Sequence, residues 1–364
     1  MSHSNARPVF AAVVRAGTGN RPLARHEDAS LEAMAEAIAG LLGVPRADAA
    51  VPGTRAYFVP DDTLDAAQAA ALGVHDEYDL FGGVVPHRFA ATKLVSHPLV
   101  GADAAAPDGW VHALAEAIDG AVLPGYAVFS EADARRAADR LLPLGPLRLK
   151  LARGLGGRGQ ARVADLDELD EALAALPADE LRLHGATLEQ ELADSRTWSI
   201  GVARCGALAI TYAGVQRTTR DRHGNAVYGG SDLDVVRGGF DALLQLPLPP
   251  DAHRAVSRAQ HYDAAMSANF PGFFASRRNY DVVAGQDAQG RDACGVLEQS
   301  WRIGGASPAE LAAMRAFADD PSRVHVRASC REAHGVHTPP PGAIVGFRGD
   351  DPSLGPLCKY AWVH

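Results

Sequence analysis

Hydrophobic positions along this chain come in short buried runs separated by longer segments of helical spacing, the pattern of alternating strands and helices. Residues 9–14 and 56–59 read as strands, and residues 30–42 and 65–72 as helices, with Ser30 as a cap and Gly43 as a stop. A helix is expected at 110–118, and Ser130-Glu-Ala-Asp forms a capping box that opens another, ending near Leu142. Leu147, Leu149 and Leu151 alternate with Arg148 and Lys150, so this strand turns two cations to its polar side. Residues 160–163 read as a further strand, and Asp165 caps the next helix. Strands follow at 198–203 and 211–216, then a long basic loop at 217–232 and a helix at 251–270. A short helix at 308–317, capped by Ser307, precedes two last strands at 343–347 and 357–362. Such a series makes an α/β (α+β) chain.

The run from Arg277 to Ser307 carries the densest chemistry. Two strand-like segments flank Gln289-Gly290, which suits a two-residue hairpin turn. Ala288 then faces Arg291, and counting outward sets Asp281 directly opposite Glu298. Period two puts Ser300 on the face of Glu298 and Asn279 on that of Asp281. Facing carboxylates repel unless a cation lies between them, and magnesium, usually held by one or two carboxylates, is the simplest remedy. Arg277, Arg278 and Arg302 crowd the same stretch, which suits a polyanionic ligand. The plainer alternative is a solvated hairpin with arginine–carboxylate bridges.

Glycine clusters directly after the lysine strand, at Gly154, Gly156, Gly157 and Gly159. A loop without Cβ atoms can approach phosphate and present backbone N–H groups. Gly154, Gly156 and Gly159 satisfy G-x-G-x-x-G, but a dinucleotide loop opens directly into a helix, whereas residues 160–163 look like a strand. No Lys-Ser or Lys-Thr closes a Walker loop either. The glycines are expected to join two strands as a flap over phosphate, with a purely structural hairpin as the alternative.

With 364 residues, 47% hydrophobic and 22% charged, the chain reads as a soluble protein of two or three domains. Its net charge of −9 argues against nucleic acid as a partner. Cys205, Cys294, Cys330 and Cys358 form no Cys-x-x-Cys pair, so reduced thiols are expected rather than zinc or a disulfide framework. The apolar run at 9–14 is too short for a signal-peptide core, and no stretch is long and apolar enough to span a bilayer. A cytoplasmic location follows as the expectation.

Taken in order, Lys93, Leu123-Pro124, Lys150, the loop from Gly154 to Gly159, Glu189 to Leu192, Asp281 and Glu298-Gln-Ser resemble the ATP-grasp superfamily, over roughly residues 90 to 310. The segment Glu298-Gln-Ser-Trp-Arg-Ile-Gly-Gly-Ala-Ser looks like that superfamily's Glu-x-Asn-Pro-Arg-x-Gly-Gly type, and the whole stretch also resembles a bacterial family of unknown function. The resemblance implies an N-terminal α/β domain (1–92), a lid subdomain with the glycine flap (93–188) and a C-terminal subdomain with the metal site (189–364), the latter two clamping ATP. Lys93, Lys150 and the flap would meet the phosphates. Glu189, with the backbone of Gln190 and Leu192, would meet adenine. Asp281, Glu298 and Ser300 would hold Mg2+, and Arg278 and Arg302 would steady the transferring phosphoryl group. The implied activity is an ATP- and magnesium-dependent ligase that activates a small carboxylic acid as an acylphosphate for capture by an amine. The alternatives are a small-molecule kinase and a non-catalytic nucleotide-binding regulator. Two positions depart from the pattern: Ser300 stands where the superfamily has asparagine, and Arg196 and Thr197 stand where a ribose-binding acid is expected, leaving Asp194 as the nearest substitute. Arg217, Arg220, Arg222 and Arg277 suggest an anionic substrate, and a homodimer is the default oligomer.

Overall fold

The computed structural model describes residues 9–154 and 159–364. Gly156 and Gly157, two of the expected flap glycines, lie outside them, as does the start of the chain. Among the described residues no helix is long and apolar enough to cross a membrane.

The N-terminal part is a small parallel sheet in which Ala12–Ala16 runs between Arg46–Ala47 and Ala56–Pro60. Its helix, Arg25–Leu42, starts five residues before the expected Ser30. The Glu27 carboxylate accepts the Ala24 N–H at 3.0 Å, and Glu27 and Asp28 place negative charge at the positive end of the helix dipole. Ser30 is interior to the helix, its hydroxyl donating back to the His26 carbonyl at 2.7 Å. The stop at Gly43 is as expected, with φ of 70°.

A four-stranded antiparallel sheet follows, in the order Gly125–Val128, Ala186–Gln190, Leu147–Leu151, Gln160–Val163. Helices Glu131–Leu141 and Leu166–Ala174 close its apolar side through Ala134, Ala137, Leu169 and Leu173 against Leu147 and Leu188. The Ser130 cap accepts the Asp133 N–H at 3.1 Å, as the capping box requires. The segment expected as a helix at 110–118 holds only one turn, Leu114–Ala117.

The rest of the chain builds an eight-stranded antiparallel sheet. Its order is Asp292–Ser300, Arg277–Gln286, Ala193–Cys205, Leu208–Arg220, Ala226–Arg237, His325–His334, Gly355–Val363 and Ile344–Asp351. The expected loop at 217–232 is mostly the closing part of a long hairpin, since pairing continues from Arg217 out to Arg220 against Ala226. Helix Pro250–Asn269 covers one face through Tyr262, Ala259 and Met266. Helices Ser307–Asp319 and Arg25–Leu42 cover the other, where Ile38, Met314 and Phe317 share a core with Tyr212 and Leu233.

Two features of this layout bear on how the parts are joined. The N-terminal unit keeps a small interior around Val14, Phe58, Leu64 and Leu80, while its main helix packs on the other side into the core of the large sheet. The lid sheet runs to Gln190 and the large sheet begins at Ala193, with Glu191–Leu192 between them. A four-stranded sheet carrying the glycine loop, set against a large sheet carrying the acidic hairpin, is the layout that the ATP-grasp resemblance implies.

One buried ion pair ties the acidic hairpin to the helix behind it. Arg277 donates to Glu310 at 2.8 Å with side chains 1% and 0% exposed, and also to the carbonyls of Ser300 and Arg302. Removing one partner strands the other charge in the interior. Arg277→Met is expected to cost about 3–5 kcal/mol in urea unfolding, and the double variant Arg277→Met/Glu310→Leu to recover most of that loss.

Candidate active site

The acidic hairpin has the expected pairing for a reason that the sequence hides. Its turn is a three-residue loop, with Asp287 opposite Arg291 and Gly290 at φ of 73°, so the pairing starts one residue out of the expected register. A bulge between Asp281 and Val282 leaves Leu297 as an extra residue on the second strand and cancels that offset. Asp281 therefore pairs with Glu298, and Asn279 with Ser300.

Burial, and then the charge of Glu298, push the Asp281 carboxyl up to about 6. The Asn279 amide donates to Asp281 Oδ1 at 2.9 Å. Lys93 supplies the cation: its buried ammonium lies 2.9 Å from Glu298 Oε2, and donates at 2.9 Å to the Gly154 carbonyl at the root of the glycine loop. Lys93 sits on the short 3-10 turn Lys93–Ser96, whose position is fixed from beneath. Gln299, next to Glu298, turns to the opposite face and donates to the carbonyls of Ala90 and Thr92 at 2.9 and 2.7 Å.

Lys150 projects from the lysine strand toward Glu189 on the neighbouring strand and forms a buried ion pair with its Oε1. The second Glu189 oxygen lies 2.9 Å from His97 Nε2. Burial alone would raise the Glu189 carboxyl, but Lys150 and His97 outweigh it and hold the pKa below the ordinary value. The backbone N–H of Gln190 is already donated to the Pro124 carbonyl at 2.9 Å, so it is not free for a ligand as expected. Leu192 packs with Leu123 and Val283 where the two sheets meet. Gly154 and Gly159 lie on either side of the loop: Gly159 O accepts the Leu151 N–H, and the strands leading into and out of it pair antiparallel. Asp194 is exposed, with φ of 47°.

The arginines separate. Arg278 lies on the other face of its strand from Asp281, three positions away at period two, and donates to Asp263 of the Pro250–Asn269 helix at 3.1 Å. It is not placed to steady a phosphoryl group, which corrects that expectation. Arg277 is likewise an interior residue and not a ligand contact. Arg302 does face open space, lining a cavity of about 140 Å³ with Arg21, Glu27, Asp61, Arg331 and Lys359. Asp62, at 4.0 Å, only partly offsets its burial and the charges of Arg21 and Arg277, so its pKa lies below the ordinary guanidinium value.

Among the described residues no three His, Cys, Asp or Glu side chains gather as a metal cluster. The donors at the hairpin are two carboxylates with the hydroxyl oxygen of Ser300, since the Asn279 carbonyl oxygen already accepts from Ser199 and Tyr212; the set suits magnesium that keeps water and phosphate as its other ligands. The Lys93 ammonium on Glu298 marks the spot as one that demands positive charge. Residues that pattern alone did not bring out are His97 and Gln299; the signal for Gln299 was its alternation with Glu298, and His97 carried none.

An Asp carboxyl raised to about 6 binds its proton more tightly folded than unfolded, so its ionisation lowers stability as pH climbs from about 4 through 6. In metal-free protein at pH 8, Asp281→Asn is expected to melt at a higher temperature than wild type, with the gap narrowing below about pH 6 and closed near about pH 4. Magnesium is expected to raise the wild-type melting temperature and leave that of the variant unchanged.

Comparison with curated protein sequences gives no match. Among solved structures, the chain is similar to D-alanyl-alanine synthetase A from Vibrio cholerae, with 11% identity, a TM-score of 0.49, and coverage of 85% of this chain and 93% of that one. It is also similar to phosphoribosylamine–glycine ligase from Thermotoga maritima, with 13% identity, a TM-score of 0.47, and coverage of 96% and 91%. A third is D-alanine–D-alanine ligase from Bacillus anthracis, with 10% identity, a TM-score of 0.44, and coverage of 82% and 88%. The family described as proteins of unknown function (DUF3182) matches residues 13–361, nearly the whole chain, and the chain belongs to that family.

Proposed function

We propose that this protein is an ATP- and magnesium-dependent ligase that activates a small carboxylic acid as an acylphosphate and passes the acyl group to an amine. The observation that carries the reading is the position of Lys93, whose ammonium reaches Glu298 of the large sheet and the Gly154 carbonyl of the lid sheet at 2.9 Å each. A cation spanning an acidic pair and a glycine loop is what a triphosphate with its metal would replace and use.

In this reading Lys93 and Lys150 neutralise the phosphates, and the loop from Gly154 to Gly159 covers them with backbone N–H groups. Glu189 accepts from the adenine amine, and Leu192 offers it an apolar edge. Asp281 and Glu298, with Ser300 through its hydroxyl, hold magnesium, which when bound neutralises phosphate charge. The acid lies in the cavity beside Arg302, the guanidinium there with the least local compensation. A carboxylate oxygen of the acid bonds to the γ-phosphorus as the bond to ADP breaks. The amine then attacks the acyl carbon, phosphate leaves with the C–O bonding pair, and the amine nitrogen loses a proton.

Release of ADP and phosphate is expected only with both acid and amine present, and mass spectrometry is expected to find an amide. A phosphorylated product without an amide would make the protein a kinase. Glu298→Gln is expected to lower kcat at least about a hundredfold at saturating ATP. Arg302→Met is expected to raise KM for the acid roughly tenfold or more while leaving KM for ATP unchanged, as loss of one charge-assisted contact requires. Binding of ATP without any acid-dependent turnover, across a panel of acids and amines, would reduce the protein to a nucleotide binder.

A further inference from the structure

His97 is one of the most enclosed polar side chains in the molecule, and nothing above gives it a task. Its side chain is 0% exposed, Nε2 lies 2.9 Å from Glu189 Oε2, and Nδ1 has no partner among the described residues. Room for the ring is made by Gly125, the cross-strand neighbour of Glu189, where a Cβ would lie 2.6 Å from both Cε1 and Nδ1 of the imidazole. Gly125 does not adopt a positive φ, so the space rather than the backbone conformation asks for glycine there. His97 also follows Lys93 by four residues, so one short segment reaches the acidic hairpin at one end and Glu189 at the other.

We propose that His97 is a positioning residue that sets nucleotide selectivity: by donating from Nε2 it holds the Glu189 carboxylate in one orientation, as a fixed acceptor for the exocyclic amine of adenine. This rests on the reading of the site as an ATP site. An ionised carboxylate only accepts hydrogen bonds, and each oxygen keeps a lone pair after Lys150 and His97 have each taken one. Adenine carries a donor at its six position, whereas guanine carries a carbonyl acceptor there and would meet a second acceptor. Without His97, the carboxylate is free to rotate and put both oxygens on Lys150. That movement would draw the ammonium from the phosphates and turn the acceptor away from the base. His97 therefore acts on both the base and the phosphate ends of one ligand, through the charge it shares with Glu189.

The test compares wild type, His97→Leu and His97→Gln by calorimetric titration with non-hydrolysable ATP and GTP analogues in magnesium, after thermal melts establish that each is folded. A glutamine amide can stand in for Nε2, whereas leucine fills space without donating. Leucine is expected to weaken the ATP analogue roughly ten- to a hundredfold and to shrink the ATP-to-GTP ratio, and glutamine to restore most of both. A folded leucine variant with wild-type affinity and selectivity overturns the role of His97 and leaves the ATP site standing. Equal losses in leucine and glutamine with unchanged selectivity also overturn it, since His97 would then serve packing alone. Wild type that binds neither analogue removes the nucleotide reading and this inference together.

Discussion

Two carboxylates facing each other across neighbouring antiparallel strands are the constraint to which much of this molecule answers. Asp281 and Glu298 are unfavourable neighbours on electrostatic grounds, and the raised Asp281 carboxyl records the cost. The pairing is nonetheless built with care: a bulge at Leu297 sets it, and Asn279 holds Asp281 in place. Lys93 is brought to Glu298 from a different part of the chain, on a segment that Gln299 pins from the opposite face of the same strand. Adjacent residues of one strand thus do opposite jobs, Glu298 turned to the site and Gln299 to the scaffold beneath the cation. Stability alone would avoid this arrangement, and the proposed metal and phosphate site gives it a reason.

The parts of the site that lie on regular strands were legible in the sequence. Lys150 follows from the alternation around it, and the glycine loop from the strand signals on either side. The facing of Asp281 and Glu298 was also legible, although through two offsets that cancel, a turn one residue longer than expected and a bulge on the return strand. The longer turn has a local cause, Asp287 accepting from the Gln289 and Arg291 N–H groups with Gly290 at positive φ, whereas the bulge at Leu297 has no pattern in the sequence. Arg278 shows the opposite failure. Period two already assigned it to the other face from Asp281, and composition overrode that simpler argument; Asp263, from a distant helix, is its partner.

What could not be read is what depends on long-range encounters. His97 meets Glu189 across 92 residues and belongs to no periodic element. The start of the Arg25–Leu42 helix turned on Glu27 acting as a cap from inside, which hid behind a more obvious serine. The joint core of the N-terminal helix and the large sheet was equally invisible, because each apolar stripe fits several partners until the topology selects one.

That joint core binds the N-terminal helix and the large sheet into one body. With Arg25–Leu42 seated against the same sheet that carries the acidic hairpin, those two parts form a single anvil. The four-stranded lid sheet has an interior of its own, and it meets the anvil at Leu192 and Leu123, which pack on Val283, and where Gln289 donates to the Leu144 carbonyl. Because Gln299 fastens the Lys93 segment to the anvil while Gly154 belongs to the lid, any displacement of the lid would be felt first at the Lys93–Gly154 contact.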